Sequence, residues 1–153
     1  MIKPTLQKQI NEALKAREEV RVSTLKLLSS ELHNAEIDNR GELKEEQELT
    51  VVGKEVKKRK DAIEAYSAAA ATGRVGAEEK ANREKEELKI LEEFLPQQMS
   101  DEELGSLVEQ AILEINPLGI QDMGKVVGHI KAKTGAAADG SKIALLVKQK
   151  LLV

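Results

Sequence analysis

Apolar residues recur at intervals of three and four along almost the whole chain, which predicts an all-helical protein. Four apolar stripes precede Pro96 and three shorter ones follow it. They predict helices at 5–17, 18–38, 45–71 and 77–95, then at 100–115 and between Asp122 and Gly135, and a last helix that begins near Asp139.

The chain is predicted to contain two helical domains. Proline disfavours helical backbone at the residue before it, so Pro96 ends the fourth helix. We therefore predict an N-terminal four-helix domain with a long helical hairpin at 1–95, a linker at 96–99 and a small three-helix tail domain at 100–153.

Three polar residues stand where helices of the tail would begin. Ser100 is followed three residues later by Glu103, which is the spacing of a capping box. Asp122 and Asp139 occupy the corresponding N-cap positions of the next two helices. These residues divide the tail into its three predicted helices.

Two charged residues interrupt the apolar stripes of the third and fourth helices, namely Arg59 and Glu84. In one interpretation each side chain packs its stem against the neighbouring helix and extends its charged end into water. In the other, the seam between the helices contains an arginine–carboxylate ion pair that fixes their register. The sequence leaves both interpretations open.

The charges of the chain are nearly balanced overall but separated locally. With 24 Lys and Arg against 27 Asp and Glu, the net charge of −3 argues against strong nonspecific nucleic-acid binding. Residues 101–114 nevertheless carry five carboxylates and no Lys or Arg, whereas residues 125–150 carry six lysines and one aspartate. The tail is therefore acidic first and basic last.

The segment between Asp122 and Gly135 contains the candidate binding residues. Lys125, His129 and Lys133 are four residues apart, so they line one side of the predicted helix, away from its apolar face. Two glycines, also four apart, remove side chains from a third side. The full set of candidate binding residues, for which the resemblance described below implies contact with tRNA, is Gly124, Lys125, Gly128, His129, Lys131, Lys133 and Lys142. The alternatives are that the lysines form an ordinary solvated face and that the glycines permit close helix packing.

The sequence predicts no catalytic residue, cofactor or metal site. It contains no nucleophile elbow and no phosphate-binding loop motif, and its carboxylates lie on predicted exposed helix faces. The aromatic residues Tyr66 and Phe94 lie on apolar faces, so base stacking is not expected. Contact with RNA would then depend on phosphate charge and on shape.

The chain has no Cys, which excludes disulfides and thiolate metal sites. It also has no apolar run long enough to span a bilayer, and its N-terminus lacks the apolar core of a secretory signal. We therefore expect a soluble, cytoplasmic protein with no membrane partner.

Short stretches along essentially the whole chain resemble YqeY-like proteins. The matching stretches are 34–37, 54–66, 94–99, 100–104, 122–128 and 138–141. The region from Ser100 is also similar to the tail domain of the B subunit of glutamine-dependent aminoacyl-tRNA amidotransferases, which helps to hold tRNA during amidation. One departure is that 135–139 lacks the basic residue that usually follows the glycine.

The resemblance implies a tRNA-binding or accessory protein related to this carbon–nitrogen ligase, which uses glutamine as its nitrogen donor. Its partners would be tRNA and the amidotransferase subunits. The alternatives are a helical protein–protein interaction module with no role in nucleic-acid binding, and an enzyme whose site the sequence does not reveal. The oligomeric state is left open.

Overall fold

The computed structural model describes residues 1–152 and builds them from helices and turns, with no strand in that range. The α-helices are α1 (Lys3–Ala16), α2 (Glu19–Asn39), α3 (Glu45–Ala71), α4 (Ala77–Glu92), α5 (Asp101–Ile115), α6 (Met123–Thr134) and α7 (Gly140–Leu151). The prediction of an all-helical protein is confirmed.

Helix α4 is shorter than predicted, because it ends at Glu92 and not at Leu95. The N–H groups of Phe94 and Leu95 donate to the carbonyl oxygens of residues three positions earlier, at 3.1 Å in each case. Such tighter turns are common at helix ends. The restriction that Pro96 places on the residue before it explains why the regular helix stops short.

Residue contacts divide the chain into two compact units, Met1–Leu95 and Pro96–Val153. The second unit includes the segment at 96–99 that we predicted as a linker. Its last two residues are bound within this unit, because the Met99 N–H donates to the Ala137 carbonyl oxygen and the Gln98 amide donates to that of Ala136, each at 2.9 Å.

The N-terminal unit packs α2 against α1, α3 and α4. Its main apolar cluster consists of the buried residues Ile2, Leu6, Ile10, Leu25, Leu28, Leu32, Leu43, Val52, Val56 and Leu91. A buried carboxylate adjoins this core: Glu48 of α3, 1% exposed, accepts the N–H groups of Ile2 at 2.6 Å and Lys3 at 3.1 Å. The first N–H groups of a helix lack partners within it, so Glu48 caps α1 from a distant part of the chain.

Arg59 lies buried between α3 and α4 among three glutamates. Its guanidinium donates to Glu87 at 2.9 Å and to Glu55 at 3.0 Å, and its Nε lies 3.6 Å from Glu84. This geometry is that of an ion pair in the helical seam. Burial, followed by the nearby charge of Glu87, raises the pKa of Glu84, which lies farther from the guanidinium than the other two glutamates.

The C-terminal unit has its own core between α5, α6 and α7. The buried residues are Leu104, Val108, Ala111, Val126, Ile130, Ala138, Ile143 and Val147. The predicted capping box is present at the start of α5, where Ser100 Oγ accepts the Glu103 N–H and Glu103 accepts the Ser100 N–H. Asp139 caps α7 by accepting the Ser141 N–H at 2.9 Å.

Asp122 directly precedes α6, as predicted, but its side chain does not cap that helix. Its carboxylate accepts the Leu118 N–H at 2.9 Å and lies 3.1 Å from Lys125 Nζ. The reason is a 3₁₀ turn at Ile120–Asp122 that runs directly into α6 and directs the carboxylate back towards the preceding loop. The prediction of a side-chain cap at this residue is therefore wrong.

Candidate nucleic-acid interface

Helix α6 exposes a strip of bare backbone at Gly124 and Gly128. Both glycines are exposed, and a Cβ atom added at either position would meet no described atom within 4 Å apart from the backbone of α6 itself. Close helix packing within the described part of the chain therefore does not explain them. A glycine inside a helix is less favourable than alanine by roughly 1 kcal/mol. Glycines at two adjacent turns therefore leave an open helix surface, and they make the helix less stable than two alanines would.

The predicted stripe of Lys125, His129 and Lys133 does not form one uniform basic surface. His129 Nε2 lies 2.8 Å from a carboxylate oxygen of Glu114 in α5, and Lys133 Nζ lies 3.4 Å from the same oxygen. Lys125 instead pairs with Asp122. The stripe divides because α5 packs beside one edge of α6, and its last turn supplies a carboxylate there.

The remaining candidate lysines also have partners. Lys131 Nζ donates to the Ala138 carbonyl oxygen at 3.0 Å, and Lys142 Nζ donates to Asp101 of α5 at 2.8 Å. A further pair, outside the predicted set, joins Lys150 of α7 to Glu109 of α5 at 2.8 Å. The structure thus places the candidates on three surfaces: the glycine strip with its flanking lysines, the α5–α6 edge and the α5–α7 edge.

These ion pairs shift the ionisation of their members. The hydrogen bond from Lys150 lowers the pKa of Glu109, and those from His129 and Lys133 lower the pKa of Glu114. The pairs lie at the surface, where solvent screens the charges, so they contribute little to stability. These ion pairs neutralise the charges of the lysines and glutamates that form them, but they are not what stabilises the fold.

The C-terminal unit as a whole is not cationic. Residues 96–153 contain seven carboxylates and six lysines, which gives a net charge of about −1 with His129 neutral. The sequence predicts a tail that is acidic first and basic last. In the structure the two parts pair, and the neutralisation of Lys133 and Lys142 by α5 counts against a single cationic face that binds a polyanion.

Several large apolar side chains of this unit are exposed to solvent. Leu113 at the end of α5 is 82% exposed, Leu118 in the following loop 87%, and Leu145 of α7 57%. None was singled out from the sequence, because Leu113 and Leu145 lie beside the predicted apolar stripes of α5 and α7 and Leu118 lies in a loop. These three side chains give the C-terminal unit exposed apolar area in addition to its nearly balanced charges.

Within residues 1–152, no group of three or more His, Asp and Glu side chains is arranged to hold a metal ion. The same residues include no helix with both the length and the apolar character needed to cross a bilayer.

The fold and the surface described above define an all-helical protein with a small C-terminal helical unit and an exposed glycine strip. The sequence model of the family described as Yqey-like protein matches residues 3–151, which is nearly the whole chain. The chain therefore belongs to the Yqey-like protein family, as its sequence stretches predicted. None of the curated proteins matches it.

Proposed function

We propose that the protein binds tRNA through its C-terminal unit and acts as an accessory to glutamine-dependent aminoacyl-tRNA amidation, without catalysing the reaction. The proposed contact surface is the strip of Gly124 and Gly128 on α6 with Lys125 and Lys131 beside it. The observation that supports this choice is the open space over both glycines, which no packing within the described unit explains.

The strip suits a sugar–phosphate backbone better than it suits base recognition. Without side chains at two adjacent turns, a ligand backbone can approach the helix closely, and the flanking ammonium groups supply charge for phosphates. Lys125 is 74% exposed, whereas the Asp122 carboxylate with which it pairs is only 15% exposed. A phosphate can therefore contact the open side of the ammonium group while the pair persists.

Charge reversal tests this surface directly. For Lys125→Glu with Lys131→Glu, we expect tRNA affinity to fall at least about tenfold at 50 mM salt. The slope of log affinity against log salt should become shallower by the equivalent of about two phosphate contacts. The matched control is Lys54→Glu with Lys57→Glu, two exposed lysines of α3 for which the described structure gives no ion pair. If the α6 variant binds tRNA as tightly as the wild type, the proposed site is wrong.

A second candidate function is a helical protein–protein interaction module with no role in nucleic-acid binding. The observation that favours it is the net negative charge of the C-terminal unit together with its exposed Leu113, Leu118 and Leu145. Affinity purification before and after RNase treatment separates the two functions. A stoichiometric protein partner that survives RNase, combined with no binding of purified tRNA, supports the module and contradicts the tRNA proposal.

A further inference from the structure

Three carboxylates of α5 pair with basic groups of the two helices beside it. Asp101 pairs with Lys142 at 2.8 Å, and Glu109 pairs with Lys150 at the same distance, so both bind α7. Glu114, near the end of α5, binds both His129 and Lys133 of α6. One helix therefore holds the basic side chains of both of its neighbours.

The positions of these pairs separate them from the core of the unit. The apolar side of α5 is buried through Leu104, Val108 and Ala111, which are each at most 2% exposed. The three carboxylates lie outside this core, and their side chains are more than half exposed. Since exposed pairs contribute little to stability, apolar burial and not ion pairing holds the helices together.

We propose that α5 is an internal competitor for polyanions, whose Asp101, Glu109 and Glu114 carboxylates occupy basic groups that RNA phosphates would otherwise contact. This inference rests on the proposed function and concerns its regulation. In the resting unit, phosphates reach the glycine strip and its flanking lysines, while the basic groups at the edges of α5 stay neutralised. Binding is consequently weak, and it strengthens when the carboxylates lose their charge.

The size of the effect follows from the number of basic groups released. Neutralising the three carboxylates frees Lys133, Lys142 and Lys150, and each freed lysine can contact one phosphate. Each new contact with a duplex steepens the plot of log affinity against log salt by about 0.9. We therefore expect the gain in affinity for tRNA to be roughly 40-fold larger at 50 mM than at 200 mM salt if all three contacts form.

The test compares two triple variants that change the net charge equally. The first is Asp101→Asn with Glu109→Gln and Glu114→Gln. The control is Glu78→Gln with Glu79→Gln and Glu86→Gln, three exposed glutamates of α4 for which the described structure gives no ion pair. Binding of tRNA to the full chain is measured at 50, 100 and 200 mM salt, and urea unfolding confirms that each variant is folded.

The expected result is tighter binding and a steeper salt slope for the α5 variant, with the α4 control within about twofold of wild type. An equal gain in both variants, or no gain in either, overturns the inference. Glu114→Gln alone leaves both α7 pairs intact and is expected to give a gain of about threefold, so it provides the same test if the triple variant does not fold.

Failure of the inference and failure of the proposed function give different results. If wild-type binding is lost on reversal of Lys125 and Lys131 but is unchanged by the α5 substitutions, the competitor role is wrong and the tRNA site stands. If neither the wild type nor the α5 variant binds tRNA at any salt concentration, both proposals are overturned.

Discussion

Arg59 Nε donates a 2.9 Å hydrogen bond to Glu87 across the α3–α4 hairpin, and the two side chains are only 10% and 14% exposed. On its own helix, the same guanidinium donates to Glu55, whose side chain is 4% exposed. A buried pair of this kind adds little net stability compared with apolar residues, but it makes other alignments of the hairpin costly. We therefore expect Arg59 to set the register of α3 against α4.

Arg59→Met is expected to destabilise the N-terminal unit by about 3 kcal/mol, because it leaves the largely buried Glu55 and Glu87 with only the more exposed Lys58 and Arg83 as cationic partners. Urea unfolding measures the loss. The control is Arg83→Met, which removes a 61% exposed guanidinium that lies 3.4 Å from Glu87 and should cost less than about 1 kcal/mol. Equal losses in the two variants would show that the burial of Arg59 is unimportant.

The cap that Glu48 provides for α1 gives a second prediction. Glu48→Ala leaves the buried N–H of Ile2 without its acceptor, so we expect a loss of about 1–3 kcal/mol in urea unfolding. The amide of Lys3 should also exchange its hydrogen faster. Glu46→Ala, at an exposed position of the same helical turn, serves as the control. Matching stabilities for the two variants would contradict a capping role for Glu48.

The glycine strip of α6 predicts that stability and binding change in opposite directions. Gly124→Ala with Gly128→Ala should stabilise the C-terminal unit by about 1 kcal/mol per site, because both added methyl groups enter open space. The same methyl groups should weaken tRNA binding by covering the strip. Gly105→Ala in α5, where the added atom also meets nothing within 4 Å, should stabilise without affecting binding. Unchanged tRNA affinity in the double variant would rule out close approach at this strip.

The C-terminal unit is expected to lose a small part of its stability in mild acid, because the carboxylates concerned lie at the surface. Contacts with Ser100, Lys150 and the His129–Lys133 pair lower the pKa values of Glu103, Glu109 and Glu114, respectively, below the ordinary 4.5. A carboxylate with a lowered pKa stabilises the fold above its ordinary value, and the contribution disappears as the pH falls through the lowered value. The loss should therefore appear below about pH 4.5.

Amide NMR signals of residues 101–151, followed from pH 6 to pH 3, measure this loss. Substituting Glu103, Glu109 and Glu114 by Gln should flatten the pH dependence, because the amides do not titrate. If the amide signals of the substituted protein are lost over the same pH range, other groups cause the acid sensitivity.

The periodic spacing of apolar residues was enough to place all seven α-helices, because each helix buries a stripe whose period is a property of the helix itself. The capping roles of Ser100 and Asp139 were also predictable, because a helix cap involves residues that are close in sequence. Asp122 was misread because the 3₁₀ turn before it depends on how the loop reaches α6.

The pairing of charges could not be read in the same way. That Arg59 meets Glu87, that Glu48 caps α1 and that Glu114 binds Lys133 depend on which helix faces are adjacent. The sequence by itself determined the helices, the candidate basic residues and the glycine strip. Only the tertiary structure decided which of the charges are neutralised, because ion pairing depends on distances between side chains that are far apart in the chain.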